Sequence, residues 1–131
     1  MKTFEFRLPA EPLAAAVARA IVEAIGSDLP EPILLDAKLL TTEVVTNAVR
    51  HAPGTQAVIV RVRRNNLVLV EVVDQGPMFD PQPRTTSSRA GSGQGLMLVD
   101  AVANAWGIEP DEAGKKVWFE LSSGGGGDID V

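Results

Sequence analysis

The sequence predicts an α/β (α+β) fold, a two-layer sandwich in which three helices cover one face of a mixed, mostly antiparallel sheet. Three observations carry that expectation. Two β-branched runs, Gln56 to Arg64 and Leu67 to Val73, are joined by Asn65-Asn66, whose side chains tolerate positive φ, as in an antiparallel hairpin. Two stretches of helical spacing precede this hairpin, and a third follows it. The resulting order is strand, helix, helix, strand, strand, long connection, helix, strand, strand. That order groups the helices among antiparallel strands, whereas a doubly wound parallel sheet alternates them one for one.

Taken in order, Phe4, Phe6 and Leu8 alternate with polar residues and predict an opening strand that Pro9 ends. From Pro12 to Ile25 the chain is alanine-rich, with Leu13, Val17, Ala20, Ile21 and Ala24 at helical spacing and Gly26 as a stop. Asp28 to Pro32 reads as a turn. Ile33 to about Ala52 reads as a longer helix closed by Pro53-Gly54. In the hairpin, Arg61, Arg63 and Glu71 alternate with valines, which predicts one covered and one solvated sheet face. Pro77 to Gly93 has no usable periodicity, and its 17 residues exceed the usual length of a structureless connection, so it is read as a mobile lid. Gly95 to Ala103 is then helical, Ala105 to Glu109 and Lys116 to Leu121 are strands, and a glycine-rich tail follows from about residue 123.

At 131 residues the chain suits a single domain of about 1–122 with one core, and 45% apolar with 22% charged residues is ordinary globular composition. No apolar run approaches the ~20 residues of a membrane span. The opening Met-Lys-Thr-Phe-Glu-Phe-Arg lacks the layout of a secretory signal, so a cytoplasmic protein is expected. Without cysteine there are no disulfides or thiolate sites, and a single histidine excludes multi-histidine metal centres. A net charge of −5 disfavours direct nucleic-acid binding and leaves room only for a small anion at a local basic spot.

Three segments carry candidate chemistry. Glu43-Val-Val-Thr-Asn47-Ala-Val-Arg50-His51 places residues 43, 47 and 51 on one helix face, bordering the apolar stripe of Ile33, Leu40, Val44 and Ala48. Polar groups at such a margin need partners in the protein or in a ligand. Asp74-Gln75-Gly76 follows an apolar strand, so the carboxylate emerges at a strand terminus where it can accept from an exocyclic amine, and Gly76 lets a ring approach the backbone. A plain Asp-x-Gly-Pro turn is the competing reading. Gly91-Ser-Gly93-Gln-Gly95-Leu96 exposes backbone N–H groups before a helix, which suits phosphate. It lacks a Walker lysine and does not follow a strand, so neither the P-loop nor the dinucleotide fingerprint fits. A lid hinge with no ligand is the plainer alternative.

In this order the segments resemble those of the Bergerat-fold (GHKL, histidine-kinase-like) ATPases, which include histidine kinases, gyrase B and MutL. The chain looks most like the stand-alone anti-sigma-factor serine kinases of actinobacterial type, over roughly Phe4 to Leu121. Glu43 to His51 resembles the N box, Asp74 to Gly76 the adenine-binding box, Gly91 to Leu96 the glycine-rich box, and Gly114 to Leu121 the last sheet segment.

The resemblance implies ATP and Mg²⁺ as cofactors, with Asn47 on the metal, Glu43 as general base, Asp74 and Gly76 at adenine, and Arg50 at phosphate oxygens. Gly91, Gly93, Gly95 and Leu96 would close over the phosphates. His51 is read as a packing or hydrogen-bonding residue at the helix end. Relatives commonly carry a charged residue just before the glycine-rich box, whereas this chain has Ala90 and Gly91, leaving Arg84 or Arg89 for a γ-phosphate contact. It also has Gln94 where many carry arginine and Lys116 where they carry threonine.

The function implied is an anti-sigma factor and protein serine kinase that phosphorylates an anti-sigma-factor antagonist and alternatively binds a sigma factor. A second reading is a nucleotide-gated protein-binding module with little or no phosphotransfer, and a third is an adaptor that binds no nucleotide. The opening strand and first helix resemble segments through which such kinases form homodimers. A plainer role of Val17, Ile21 and Ala24 in covering the sheet is compatible with that.

Overall fold

The computed structural model describes residues 2–51, 55–65, 67–76 and 94–122. Its elements are β1 (Lys2–Pro9), α1 (Leu13–Ile25), α2 (Glu31–His51), β2 (Ala57–Arg64), β3 (Leu67–Asp74), α3 (Gln94–Val102), β4 (Ala105–Asp111) and β5 (Gly114–Ser122). The expected lid at 77–93 and the tail from 123 lie outside the described residues. No helix among the described residues is long and apolar enough to cross a membrane.

The five strands form one open sheet in the order β1-β2-β3-β5-β4, and all four pairings are antiparallel. Alternation assigns the two faces. Val58, Val60 and Val62 of β2, Val68, Val70 and Val72 of β3, and Val117, Phe119 and Leu121 of β5 point to the helices and make the sheet side of the core. β-branched side chains suit this pleated, covered surface. Above them α2 packs on both α1 and α3 and reaches β3 and β5. Ala14, Ala18 and Val22 of α1 and Ala37, Leu40, Val44, Val45 and Ala48 of α2 are buried, small residues letting the two helices approach closely.

Boundaries differ from expectation for local reasons. α2 begins at Glu31 because the Pro30 carbonyl accepts from the N–H groups of Ile33 (3.0 Å) and Leu34 (3.1 Å); Pro32 then falls in the first turn, where a missing N–H costs nothing. The β4–β5 hairpin is longer than the apolar pattern, because Pro110, Asp111, Gly114 and Lys115 continue the ladder with polar side chains.

The outer face of the sheet is not simply solvated. Ile59 and Val73 are buried there, as is Glu71, beneath a lattice of charged groups. Arg61 donates to Glu5 at 3.0 Å, to Glu71 at 3.4 Å and to both oxygens of Asp111 at 2.9 and 3.2 Å. These bonds, Asp111 first, raise the Arg61 pKa further, and the same guanidinium holds the Asp111 carboxyl below its ordinary value.

Candidate functional site

α2 supplies the first group of site residues. Glu43 and Asn47 are half-buried at the edge of its core stripe, where the apolar spacing of Leu40, Val44 and Ala48 puts them. Arg50 and His51 occupy the last turn and are exposed, favourably placed for the negative end of the helix dipole. His51 therefore does not pack as expected, since it lies past Ala48, the last core residue of α2. Arg50 lines a cavity of about 250 Å³ with Pro12, Thr46 and Val49.

β3 supplies the second group. Asp74 is its last residue and shares the helix-covered face with Val68, Val70 and Val72, so its carboxylate is carried into the interior. It is only 2% exposed. Oδ1 accepts the Gly76 N–H at 2.7 Å, which folds the chain sharply after the strand, and the Lys115 ammonium lies 3.4 Å from the same oxygen. Among the described residues no hydrogen bond falls on Oδ2.

Lys115 was not singled out by sequence reasoning. Its place follows from the register, in which Asp74 of β3 stands opposite Lys115 of β5. Gly114 enforces the approach. Its φ of +146° is unfavourable for any side-chain-bearing residue, and a Cβ there would lie 2.0 Å from the Asp74 carbonyl oxygen. The neighbouring Lys116, which occupies the threonine position of the resemblance, points the other way. It bonds Glu71 at 3.2 Å and pairs with Glu109 at 3.7 Å on the outer face. A lysine opening a strand opposite an aspartate that closes another is the one sequence signal that could have found Lys115, and it requires the register to be known.

The end of β3 and the segment that follows α2 meet at one end of the sheet. The chain leaving α2 returns there, because the Gln75 N–H donates to Thr55 Oγ1 at 3.1 Å just ahead of β2. Asp74, Gly76, Gly114 and Lys115 occupy that end. α3 finishes at the opposite end, where the Asn104 N–H donates to the Glu120 carbonyl at 2.9 Å, and its nine residues rise ~13 Å away from it. Leu96 in the first turn of α3 is buried in the core, 5% exposed, so its role in this structure is packing. Gly95 lies in the same turn, while Arg84, Arg89, Gly91 and Gly93 fall outside the described residues.

The donor set fits a nucleotide with its metal. A buried carboxylate with one oxygen uncommitted suits an exocyclic amine, and a half-buried amide oxygen on an adjacent helix suits Mg²⁺, which takes few protein ligands and keeps water and phosphate oxygens.

Residues 8–121 match the family model described as a histidine kinase-like ATPase domain. No curated protein sequence matches the chain. Among solved structures, the RsbU and RsbW domains of Rv1364c from Mycobacterium tuberculosis superpose with a TM-score of 0.71 at 19% identity, covering 93% of this chain and 32% of that one. The histidine kinase domain of a blue-light activated histidine kinase from Erythrobacter litoralis superposes with a TM-score of 0.52 at 18% identity, covering 88% of this chain and 61% of that one. The chain thus spans about a third of the first protein's structure and under two thirds of the second's. At these identities the likeness concerns the fold.

Proposed function

The chain belongs to the family of histidine kinase-like ATPase domains, and on that premise we propose that it is an ATP-binding regulator that phosphorylates a serine of an anti-sigma-factor antagonist. One observation supports the reading: a carboxylate buried at the end of β3, whose Oδ2 accepts no hydrogen bond among the described residues, lies next to a turn bonded to Thr55, four residues beyond the end of α2.

In this reading Asp74 accepts from the adenine amino group and Gly76 leaves room for the ring. Asn47 would hold Mg²⁺, and Arg50, Arg84 or Arg89 would contact phosphate. Gly91, Gly93 and Gly95 cover the phosphates, with Leu96 anchoring the helix that follows. When bound, Mg²⁺ and ATP supply the transferable phosphoryl group and the charge that offsets it. Glu43 takes the proton of the attacking serine hydroxyl. The sigma factor and the antagonist are the protein partners, in the cytoplasm. Edge strand β1 and the exposed Leu13 and Val17 of α1 are compatible with a homodimer formed there.

The test uses purified protein, Mg²⁺ and labelled ATP with candidate antagonists. Serine labelling that Glu43→Ala abolishes, while ATP affinity is kept, is the expected result. If no antagonist is labelled and Glu43→Ala behaves as wild type, the kinase assignment fails. The Ala90-Gly91 sequence favours a second reading, in which nucleotide gates a partner surface without phosphotransfer. Partner affinity that does not change between ATP-bound and nucleotide-free protein removes that one.

A further inference from the structure

The turn between β4 and β5 reaches farther over the sheet than its own pairing carries it. β2 and β4 are separated by β3 and β5, so in a flat sheet they would lie about 14 Å apart. Following the pairings across, the β4 residue level with Arg61 is Gly107, not Asp111. Yet Arg61 Nη1 and Nη2 donate to Asp111 Oδ1 and Oδ2 at 2.9 and 3.2 Å. The tip of the β4–β5 hairpin is therefore curled over the outer face, which agrees with the burial of Ile59 and Val73 on a face that alternation alone would leave solvated.

What the tip holds is the segment that ends β3. Asp111 Oδ2 also accepts the Ala113 N–H at 3.1 Å, which sets the turn, and the Ala113 carbonyl accepts from Gln75 Nε2 at 3.3 Å. Gly114 lies so close to Asp74 that a Cβ would meet its carbonyl oxygen at 2.0 Å. Asp74 in turn accepts the Gly76 N–H at 2.7 Å. A two-point bond between a guanidinium and a carboxylate is the strongest of these contacts, and it ties the tip to a strand with which β4 and β5 share no ladder.

We infer, resting on the ATP-binding reading above, that Arg61 and Asp111 are positioning residues for the base: their bond presses the β4–β5 turn onto residues 74–76 and so sets the Asp74 carboxylate for the adenine amine. Neither touches the nucleotide in this reading. Both act from the outer face of the sheet, through Ala113 and Gly114.

Asp111→Ala and Glu5→Ala separate this role from general support of the sheet, because Glu5 bonds the same guanidinium at 3.0 Å but lies on β1, away from the turn. Both variants, with folding checked by circular dichroism, are read by hydrogen exchange without nucleotide and by isothermal titration with Mg²⁺ and ATP or GTP. Asp111→Ala should speed exchange of the Gln75 and Gly76 amides, weaken ATP binding at least about fivefold and narrow the preference for ATP over GTP. Glu5→Ala should match wild type in all three. If Asp111→Ala folds poorly, Asp111→Asn, which keeps an acceptor for the Ala113 N–H, serves in its place. Unchanged amide exchange with ATP affinity within twofold of wild type, while Asp74→Asn still loses ATP, overturns the positioning role and leaves the ATP reading standing. So does a Glu5→Ala protein with the same losses as the Asp111 variant. Wild-type protein that binds no adenine nucleotide overturns the ATP reading itself, and this inference with it.

Discussion

The two faces of the β3–β5 ribbon each set an acid of β3 beside a lysine of β5, in opposite ways. On the helix-covered face Asp74 faces Lys115 at 3.4 Å, with both side chains buried. On the outer face Glu71 is shared among Lys116 at 3.2 Å, Arg61 at 3.4 Å and Arg63 at 3.8 Å, and Arg61 in turn clamps Asp111 and Glu5. A networked acid keeps partners when one is removed. The two acids differ also in how much water their cations see, with Lys115 5% exposed and Lys116 and Arg63 at 20% and 39%.

The largest effect is expected from Gly114→Ala. Backbone strain at its positive φ adds to the clash with the Asp74 carbonyl, and a loss of about 4 kcal/mol or more in urea unfolding is expected, with nucleotide binding lost as well. Next comes truncation of the two acids. Asp74→Ala removes the carboxylate that faces the buried Lys115 ammonium and should cost about 3 kcal/mol, against about 1–2 for Glu71→Ala, whose cations are partly solvated; equal losses in urea melts would erase the contrast.

Asp111→Asn sharpens it further through pH. The Arg61 guanidinium holds the Asp111 carboxyl below its ordinary value, so the stability it lends is present above the unfolded-chain value of about 3.9 and fades as pH falls toward the lower folded one. The variant should be about 1–2 kcal/mol less stable than wild type near neutrality and converge with it in acid, as read by melting across pH. The smallest effect belongs to Lys116→Met, which should cost under about 1 kcal/mol, and less still in 1 M salt, because its contacts lie at the surface; the Asp74–Lys115 pair should be insensitive to that salt.

Much of this was legible in the residues. Alternation in Val58 to Val62 and Val68 to Val72 located the hairpin and its covered face, and the spacing of Leu40, Val44 and Ala48 fixed which residues of α2 stand at the margin. Asp74 at a strand terminus followed from the apolar run before it. What escaped depended on pairing between segments far apart in sequence. Nothing local says that β5 enters between β3 and β4, that its register sets Lys115 against Asp74, or that Glu71 is shielded by guanidinium and ammonium groups from two other strands. The start of α2 was misjudged because Pro32 reads as a breaker unless its place in a first turn is known.

The strand order has a consequence for biosynthesis. Of the five strands of this sheet β5 leaves the ribosome after the others, yet it fills an interior slot, so the valine-lined edge of β3 waits unpaired while some forty further residues are translated. On the proposed ATP-binding reading, a nascent chain halted before Gly114 would already hold its helical layer and its first hairpin, but could not grip a purine. Ligand capture therefore reports the closing event of folding, and ribosome-stalled chains of increasing length would gain it in one step.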